Sequence, residues 1–408
     1  MNISNFISVM ADPQDYTLQI VLSYIVIALV AAFIIFVILV NKGVLLSNTN
    51  NRFKRFLTHP LFVYSLRRIG SALFSIFIAL AITFCLIRMQ DLRTDYCMPL
   101  KSKYPTEEQF ERFCDSYMES LGLSGSLIEQ FFVYIYNIIP IPKIITYINS
   151  NVDMSSPYYK TYEFAIIYLG QVTPKSSNAE PLIWNMIINR MPTSFKWGAI
   201  ATLLQILIGY PLGILMAKYQ DKLIDKIGKT YVILVTAIPG LLYYYLIFTL
   251  FQQLDYSGLS IFPIEWDENN MITWFAPAIA SAFAGISGIS YWVRRYMLNE
   301  INSDYVKYAR AKGLSENKIM FKHVLRNAIV PLSRSLSTAF ISCLFGSYFI
   351  ERLFSIPGFG DTLTTAINSK DFMIVQGVVV VSAVLSVISY LIADITMACM
   401  DPRISLTK

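Results

Sequence analysis

Histidine is nearly missing from this chain: His59 and His323 are the only two in 408 residues. Far apart in sequence, they give no basis for a His-based zinc site. Charge is scarce too. Asp, Glu, Lys and Arg make up 15 % of the residues, where a soluble domain usually carries about 25 %. No Gly-x-Ser-x-Gly nucleophile elbow is present. Gly228-Lys229-Thr230 looks like the end of a phosphate-binding loop, but Leu223 stands where that loop needs its first glycine. These absences read as a non-enzyme, with no catalytic residue, no metal and no cofactor bound by this chain. There is no internal repeat and no low-complexity tract.

What is there is apolar. Hydrophobic residues make up 55 % of the chain, and several runs reach the length of about 18 residues that crosses a bilayer as a helix. They are Leu18–Val40, Gly70–Met89, Trp197–Ala217, Tyr231–Phe251, Ile272–Val293, Leu332–Ile350 and Val375–Met400. Ionisable residues are nearly absent within them. The expected fold class is an all-α membrane protein of about seven transmembrane helices. The first run is not a secretory signal, because Asp12 and Asp15 precede it and no Lys or Arg does.

Net charge is +6, and its placement is more informative. Cytoplasmic loops collect Lys and Arg. Lys42, Arg52, Lys54, Arg55, Arg67 and Arg68 lie between the first two runs with no acid, whereas Asp255, Glu265, Asp267 and Glu268 lie between the fourth and fifth with no base. The loop between the fifth and sixth is again basic. The pattern predicts an extracellular N-terminus and a cytoplasmic C-terminus in a plasma membrane. The basic balance therefore reads as topology and as contact with the bilayer, with no nucleic acid as partner.

Residues 1–65 form an extra span with a basic inner linker, 66–90 the first core span, 91–190 an extracellular insert, and 191–404 five spans joined by short loops. The insert carries Phe131-Phe-Val-Tyr-Ile-Tyr136 and Tyr158, Tyr159 and Tyr162, with turn signals at Asn149-Ser-Asn151, Ser155-Ser-Pro157 and Pro174-Lys-Ser-Ser177. Such aromatic runs fit a small folded cap, since a loop of that length without structure is unusual. The stretch 131–148 is apolar but interrupted by Pro140 and Pro142. It is read as lying on the outer membrane face, because a further span would invert every later loop. Of five cysteines, Cys85, Cys343 and Cys399 fall in spans as small packing residues. Cys97 and Cys114 fall in the insert, where an oxidising milieu permits a disulfide and a reducing one leaves both free.

The loop between the fifth and sixth spans has its own pattern. Ser303 or Asp304 can cap a helix. Tyr305, Tyr308 and Ala309 follow i, i+3, i+4 spacing and make one face, with Lys307 and Arg310 pointing elsewhere. Lys312 ends the helix favourably for its dipole, and Gly313 can take the left-handed conformation that stops it. Ser315 can cap the next helix, which leads to Pro331. A helix of about nine residues is marginal alone, so a partner is expected to hold it. The small Ala309 and Ala311 would admit another protein's backbone. The local pattern fits an ordinary basic loop as well.

Tyr305-Val-Lys-Tyr-Ala-Arg-Ala-Lys-Gly-Leu-Ser-Glu316, followed by His323-Val-Leu-Arg-Asn-Ala-Ile-Val-Pro331, closely resembles the EAA loop of ABC importer permeases in its dipeptide and oligopeptide version. Lys307, Tyr308 and Ala309 fill the Glu-Ala-Ala slots, so the acidic residue is absent, as is usual in the peptide branch. Phe354-Ser-Ile-Pro-Gly-Phe-Gly-Asp361, with Pro357 and Gly358, looks like that family's segment between the last two spans. Asp394 with Asp401-Pro-Arg-Ile404 looks like its terminus. Leu66-Arg-Arg-Ile69 and Asn327-Ala-Ile-Val-Pro331 suit its B-type subunit. The resemblance covers roughly 61–90 and 181–404. It does not reach the first span or most of the insert, and the Pro-Gly-Asp-Pro often found after the first core span is missing.

The resemblance implies a type I importer permease with a six-span core, a coupling helix at 304–314 and an ATPase-contacting set of Asp304, Tyr305, Lys307, Tyr308, Ala309, Arg310, Ala311, Lys312, Gly313 and Leu314. Its implied partners are a second, C-type permease, two ABC ATPase subunits carrying the ATP and Mg, and an extracellular peptide-binding lipoprotein. Pro239, Gly240, Pro331, Pro357, Gly358 and Asp394 are structural or gating candidates. Asp394 is read as a hydrogen-bond partner near the inner end, Glu351 and Arg352 as lying at the outer interface, and Gly240 as a kink or a close-packing site. The expected function is import of oligopeptides. The alternatives are another cargo, such as nickel or glutathione, and a secondary transporter without an ATPase, which would show inverted repeats or paired charges in broken helices; the sequence has neither.

Overall fold

A computed structural model of the chain describes residues 60–148, 160–173, 181–258 and 262–400. The first span at Leu18–Val40, His59, the turn signals at 149–151, 155–157 and 174–177, Tyr158 and Tyr159, and the terminus at 401–404 lie outside the described residues. The described residues fall into two compact units, one up to 186 with 366–381, the other within 187–365 and 382–405.

In the first unit α1 spans Pro60–Arg88, and its stretch Ile69–Arg88 is long and apolar enough to cross a membrane. The insert follows as α2 (Leu92–Cys97), a 3-10 turn, α3 (Glu107–Ser120), α4 (Leu127–Ile138) and an antiparallel hairpin of β1 (Lys143–Ile148) and β2 (Lys160–Ala165). In the hairpin Lys143 stands opposite Ala165 and Ile148 opposite Lys160. α3 buries Phe110, Phe113, Cys114, Tyr117 and Met118, the i, i+3, i+4 stripe of an amphipathic helix. Phe113 stacks on both Tyr104 and Tyr117, and Cys97 is joined to Cys114. The insert is thus a folded cap whose core is aromatic. Asp371 closes this unit: its carboxylate accepts from Thr173 N and Oγ1 at 3.1 and 2.6 Å.

The second unit holds most of α5 (Ile183–Lys218), then α6 (Leu223–Ala237), α7 (Gly240–Tyr256), α8 (Phe275–Ile301), α9 (Asp304–Ala311), α10 (Glu316–Lys318), a π-helical stretch Ile319–Val324, α11 (Leu325–Ser342), α12 (Tyr348–Leu353), most of α13 (Phe359–Asn368) and the later part of α14 (Phe372–Met400). Among the described residues Ile69–Arg88, Ile183–Lys218, Met271–Ile301 and Phe372–Met397 have the length and composition of single spans.

Two expected spans take another form. The run at Tyr231–Phe251 is broken: α6 and α7 meet at 105°. The cause is Pro239, which lacks an N–H and pushes the residue before it out of the helical region; Ile238 sits at φ −90°, ψ 131°. The run at Leu332–Ile350 is interrupted: helix resumes only with α12 at Tyr348, after α11 stops at Ser342. The chain then turns through Phe345 N→Ser342 O and Gly346 N→Cys343 O bonds, with Gly346 at φ +59°. α11 carries Arg326, Arg334 and four serines, and is less apolar than the other spans.

Candidate functional site

α9 is fixed from one side. Val306 and Ala309 are buried, in a cluster with Val293 and Met297 of α8 and with Ile319, Val324, Ala328 and Leu332 beyond the loop. The inward stripe is therefore Val306–Ala309 with Tyr305 beside it, and not the expected Tyr305–Tyr308–Ala309. Tyr308 is 63 % exposed, with the Lys312 ammonium 4.6 Å over its ring. Ala309 belongs to this chain's own core, so of the two alanines only Ala311 is open to a partner. Val306 supplies a better apolar anchor than Tyr308, whose ring and hydroxyl tolerate water.

The ends of α9 are stiff. Ser303 Oγ donates to Glu300 O at 2.6 Å and does not cap α9, and Tyr305 OH donates to Glu300 Oε2 at 2.5 Å. At the other end Leu314 N donates to Ala309 O and Gly313 N to Arg310 O, the paired bonds of a Schellman stop. Gly313 is at φ +75° with open space around it. Arg310 Nε and Nη2 reach Glu316 at 2.7 and 3.3 Å across the turn. This pairing holds the Glu316 carboxyl below its usual range, and Lys307 does the same for Asp304. Lys218 at the end of α5 donates to Asn317 Oδ1 at 2.8 Å. The exposed Lys307, Tyr308, Arg310 and Ala311 face is thus backed on its other side by the bases of α8 and α11.

Inside the same unit lies a cavity of about 470 Å³. Its walls include Thr202 and Gln205 of α5, Ser281 of α8, Ser342, and Ser382 and Ser386 of α14, and among the described residues no Asp, Glu, Lys, Arg or His lines it. Thr202 Oγ1 lies 3.0 Å from Cys343 Sγ. The described residues that line the cavity offer neutral hydrogen-bonding groups.

Near it sits a feature that sequence reasoning missed. Glu351, expected at an interface with Arg352, is fully buried, while Arg352 is exposed and 3.6 Å from Asp361. Glu351 accepts from Ser194 Oγ at 2.6 Å and Asp361 N at 2.9 Å, and Ser194 Oγ in turn accepts from Phe359 N at 2.7 Å. A Cβ on Gly346, Gly358 or Gly360 would come within 3 Å of the Glu351 carboxyl group. Gly358 thus serves to admit a carboxyl, and Pro357 sets the turn before it. Burial pushes Glu351 up to about 7. The three glycines around one acid were the available signal. Asp394 is buried with Arg334 Nη2 3.5 Å from its carboxylate, a structural partner on a neighbouring helix. Pro331 lies inside α11. Gly228-Lys229-Thr230 is helical, with Gly228 against Met216. Among the described residues no three His, Cys, Asp or Glu stand together as metal ligands.

The family model described as "Binding-protein-dependent transport system inner membrane component" matches residues 209–406. The oligopeptide transport system permease protein AppB of Bacillus subtilis is 34 % identical over 225 residues, covering 54 % of this chain and 71 % of that protein. The chain belongs to the binding-protein-dependent transport system inner membrane components. The dipeptide permease DppB of the same organism is 32 % identical over 225 residues, with 55 % and 71 % covered. DppB of Lactococcus lactis is 29 % identical over 344 residues, covering 84 % of this chain and 99 % of that protein. As an inner membrane component of this family the chain is a multi-pass membrane permease, and its family-matched region contains α9, Glu351 with its three glycines, and Asp394, while Ser194 lies before it.

Proposed function

We propose that this permease imports peptides as one half of an ATP-driven pore. α9 seats in a groove of one of two ATPase subunits, which bind the ATP and Mg and carry out hydrolysis, so this chain is no enzyme itself. A second, C-type permease completes the pore, and a peptide-binding lipoprotein delivers cargo from outside. The loop bearing α9 faces the cytoplasm with the C-terminus, and the insert and N-terminus face outward, as the Lys and Arg distribution favours.

The observation that carries this reading is the division of α9 into two faces. One is built into the core through Val306 and Ala309, and the other is exposed and basic. An eight-residue helix held this way transmits force in both directions, so closure of the ATPases biases the spans between inward- and outward-facing states. The cargo class rests on relatives that are dipeptide and oligopeptide permeases. The uncharged cavity suits it, because a route for varied peptides is served by groups that bind main-chain amides and disfavoured by a fixed charge. The test is ATP-dependent uptake into proteoliposomes holding the assembled complex, with labelled peptides, nickel and glutathione compared. Accumulation of peptides supports the reading; uptake of nickel or glutathione alone overturns it.

A further inference from the structure

α4 of the insert has a composition unlike the rest of the cap. Its sequence Leu-Ile-Glu-Gln-Phe-Phe-Val-Tyr-Ile-Tyr-Asn-Ile holds one charge and buries no residue completely. Leu127, Ile128 and Phe132 are between 61 and 69 % exposed. Three large apolar side chains together in water forgo the burial that drives apolar surface out of water. The exposure calls for an occupant.

The position of α4 identifies that occupant. The Phe131 ring lies 5.9 Å from Phe77 and 5.2 Å from Phe84, and Tyr134 stacks on Phe84 at 5.7 Å. All three contacts are with α1, whose span ends at Arg88. At 1.5 Å per residue Phe84 is about 6 Å and Phe77 about 16 Å below that end. The hydrocarbon half-thickness is about 15 Å. α4 therefore runs beside the half of the span nearest the insert, at the depth of acyl chains. The flank of α1 there is itself apolar and outward-facing: Phe74, Ile78 and Ile82 are 63, 42 and 55 % exposed.

The ends of α4 are closed as a helix leaving water requires, because unpaired backbone groups are costly in lipid. At the start Ser126 and Glu129 form a reciprocal cap, with Glu129 N→Ser126 Oγ at 3.3 Å and Ser126 N→Glu129 Oε2 at 2.7 Å. The sole charge is spent there. At the finish Lys143 Nζ donates to the carbonyls of Tyr136, Asn137 and Ile139 at 2.7, 2.8 and 3.1 Å, and Tyr168 N donates to Asn137 O.

We propose that Leu127–Ile138 lies in the bilayer leaflet on the insert's side, with its Leu127–Ile128–Phe132 face against lipid acyl chains. With 12 residues it is about 18 Å long, too short to cross. It anchors the cap to the membrane and fixes its height beside α1. Residues 131–138, the first part of the apolar stretch 131–148 expected on the membrane face, lie within the leaflet in this proposal.

The test is photo-cross-linking in the assembled complex in phosphatidylcholine–phosphatidylglycerol nanodiscs. A benzophenone amino acid replaces Phe132, and in a second variant Ile128; Glu111 of α3, about half exposed, is the water-facing control. Lipid adducts from 132 and 128 and none from 111 are expected. Adducts to any polypeptide, whether residues 1–59 of this chain, the second permease or the lipoprotein, overturn the proposal, as does an adduct yield at 132 and 128 no greater than at 111. The readout does not depend on cargo, so it stands or falls apart from peptide import.

Discussion

Asp225 accepts both Nε and Nη2 of Arg294, at 2.6 and 2.9 Å. The Asp225 side chain is fully buried and Arg294 is 19 % exposed. Lys229 adds a contact at 3.0 Å, and the Asp221 amide donates at 2.9 Å. The pair ties the start of α6 to α8, and α8 carries the Val293 and Met297 that receive α9. The base of the second unit is thus one connected structure, from the exposed loop helix to the broken span.

Asp225→Ala leaves the Arg294 guanidinium without its partner in a largely dry site. Removing one member of a buried pair costs about 3–5 kcal/mol, and the partial exposure of Arg294 puts the expected loss at the lower end. Thermal unfolding of the purified complex checks this, and the double variant Asp225→Ala/Arg294→Met should recover much of the loss. Equal instability in both would show that the pair itself is not the source.

Glu351 supplies a pH dependence with a definite sign. Its folded value of about 7 lies above the ordinary 4.5, so the folded segment favours the protonated acid. That contribution is fully present below about 4.5 and is lost as pH rises through about 7. The thermal midpoint of wild type relative to Glu351→Gln should therefore fall between pH 5 and 8. A constant difference across that range would contradict the burial argument.

Filling the cavity should stop cargo and spare assembly. Ser382→Trp puts a large side chain into a space of about 470 Å³. Uptake is expected to drop sharply while both ATPases still co-purify. Wild-type uptake with a tryptophan there would remove the cavity from the route.

The disulfide joins Cys97 of α2 to Cys114 of α3, 17 residues on. A loop of that size contributes roughly 3 kcal/mol by restricting the unfolded chain. The double variant Cys97→Ser/Cys114→Ser should let protease into the insert sooner, with cleavage in α3 as the marker. Digestion at the wild-type rate would show that the aromatic core holds α3 without it.

Much of this was legible in the sequence because membranes force simple patterns. The apolar runs at Gly70–Met89 and Trp197–Ala217 match observed helices, and Gly313 ends α9 as its motif implies. The i, i+3, i+4 spacing of α9 fits two adjacent stripes, and only contact with Met297 and Ile319 selects Val306 over Tyr308. Pro239 bent a span where the run of apolar residues looked unbroken. The burial of Glu351 is hidden in the sequence because Ser194, 157 residues away, completes its site, although Gly346, Gly358, Gly360 and the Asp361 amide stand close by in the chain. The Asp225–Arg294 pair is separated by 69 residues and was invisible for the same reason.

The central claim is that α9 couples an ATPase to this permease, and Gly313 tests it most directly. At φ +75° with nothing within 4 Å, Gly313→Val meets no clash but pays the strain of a left-handed β-branched residue, roughly 1–2 kcal/mol or more. The measurement is co-purification of the two ATPases with the membrane-inserted variant. Normal membrane levels with depleted ATPases and lost peptide uptake are predicted. A full complement of ATPases at wild-type uptake would contradict the account.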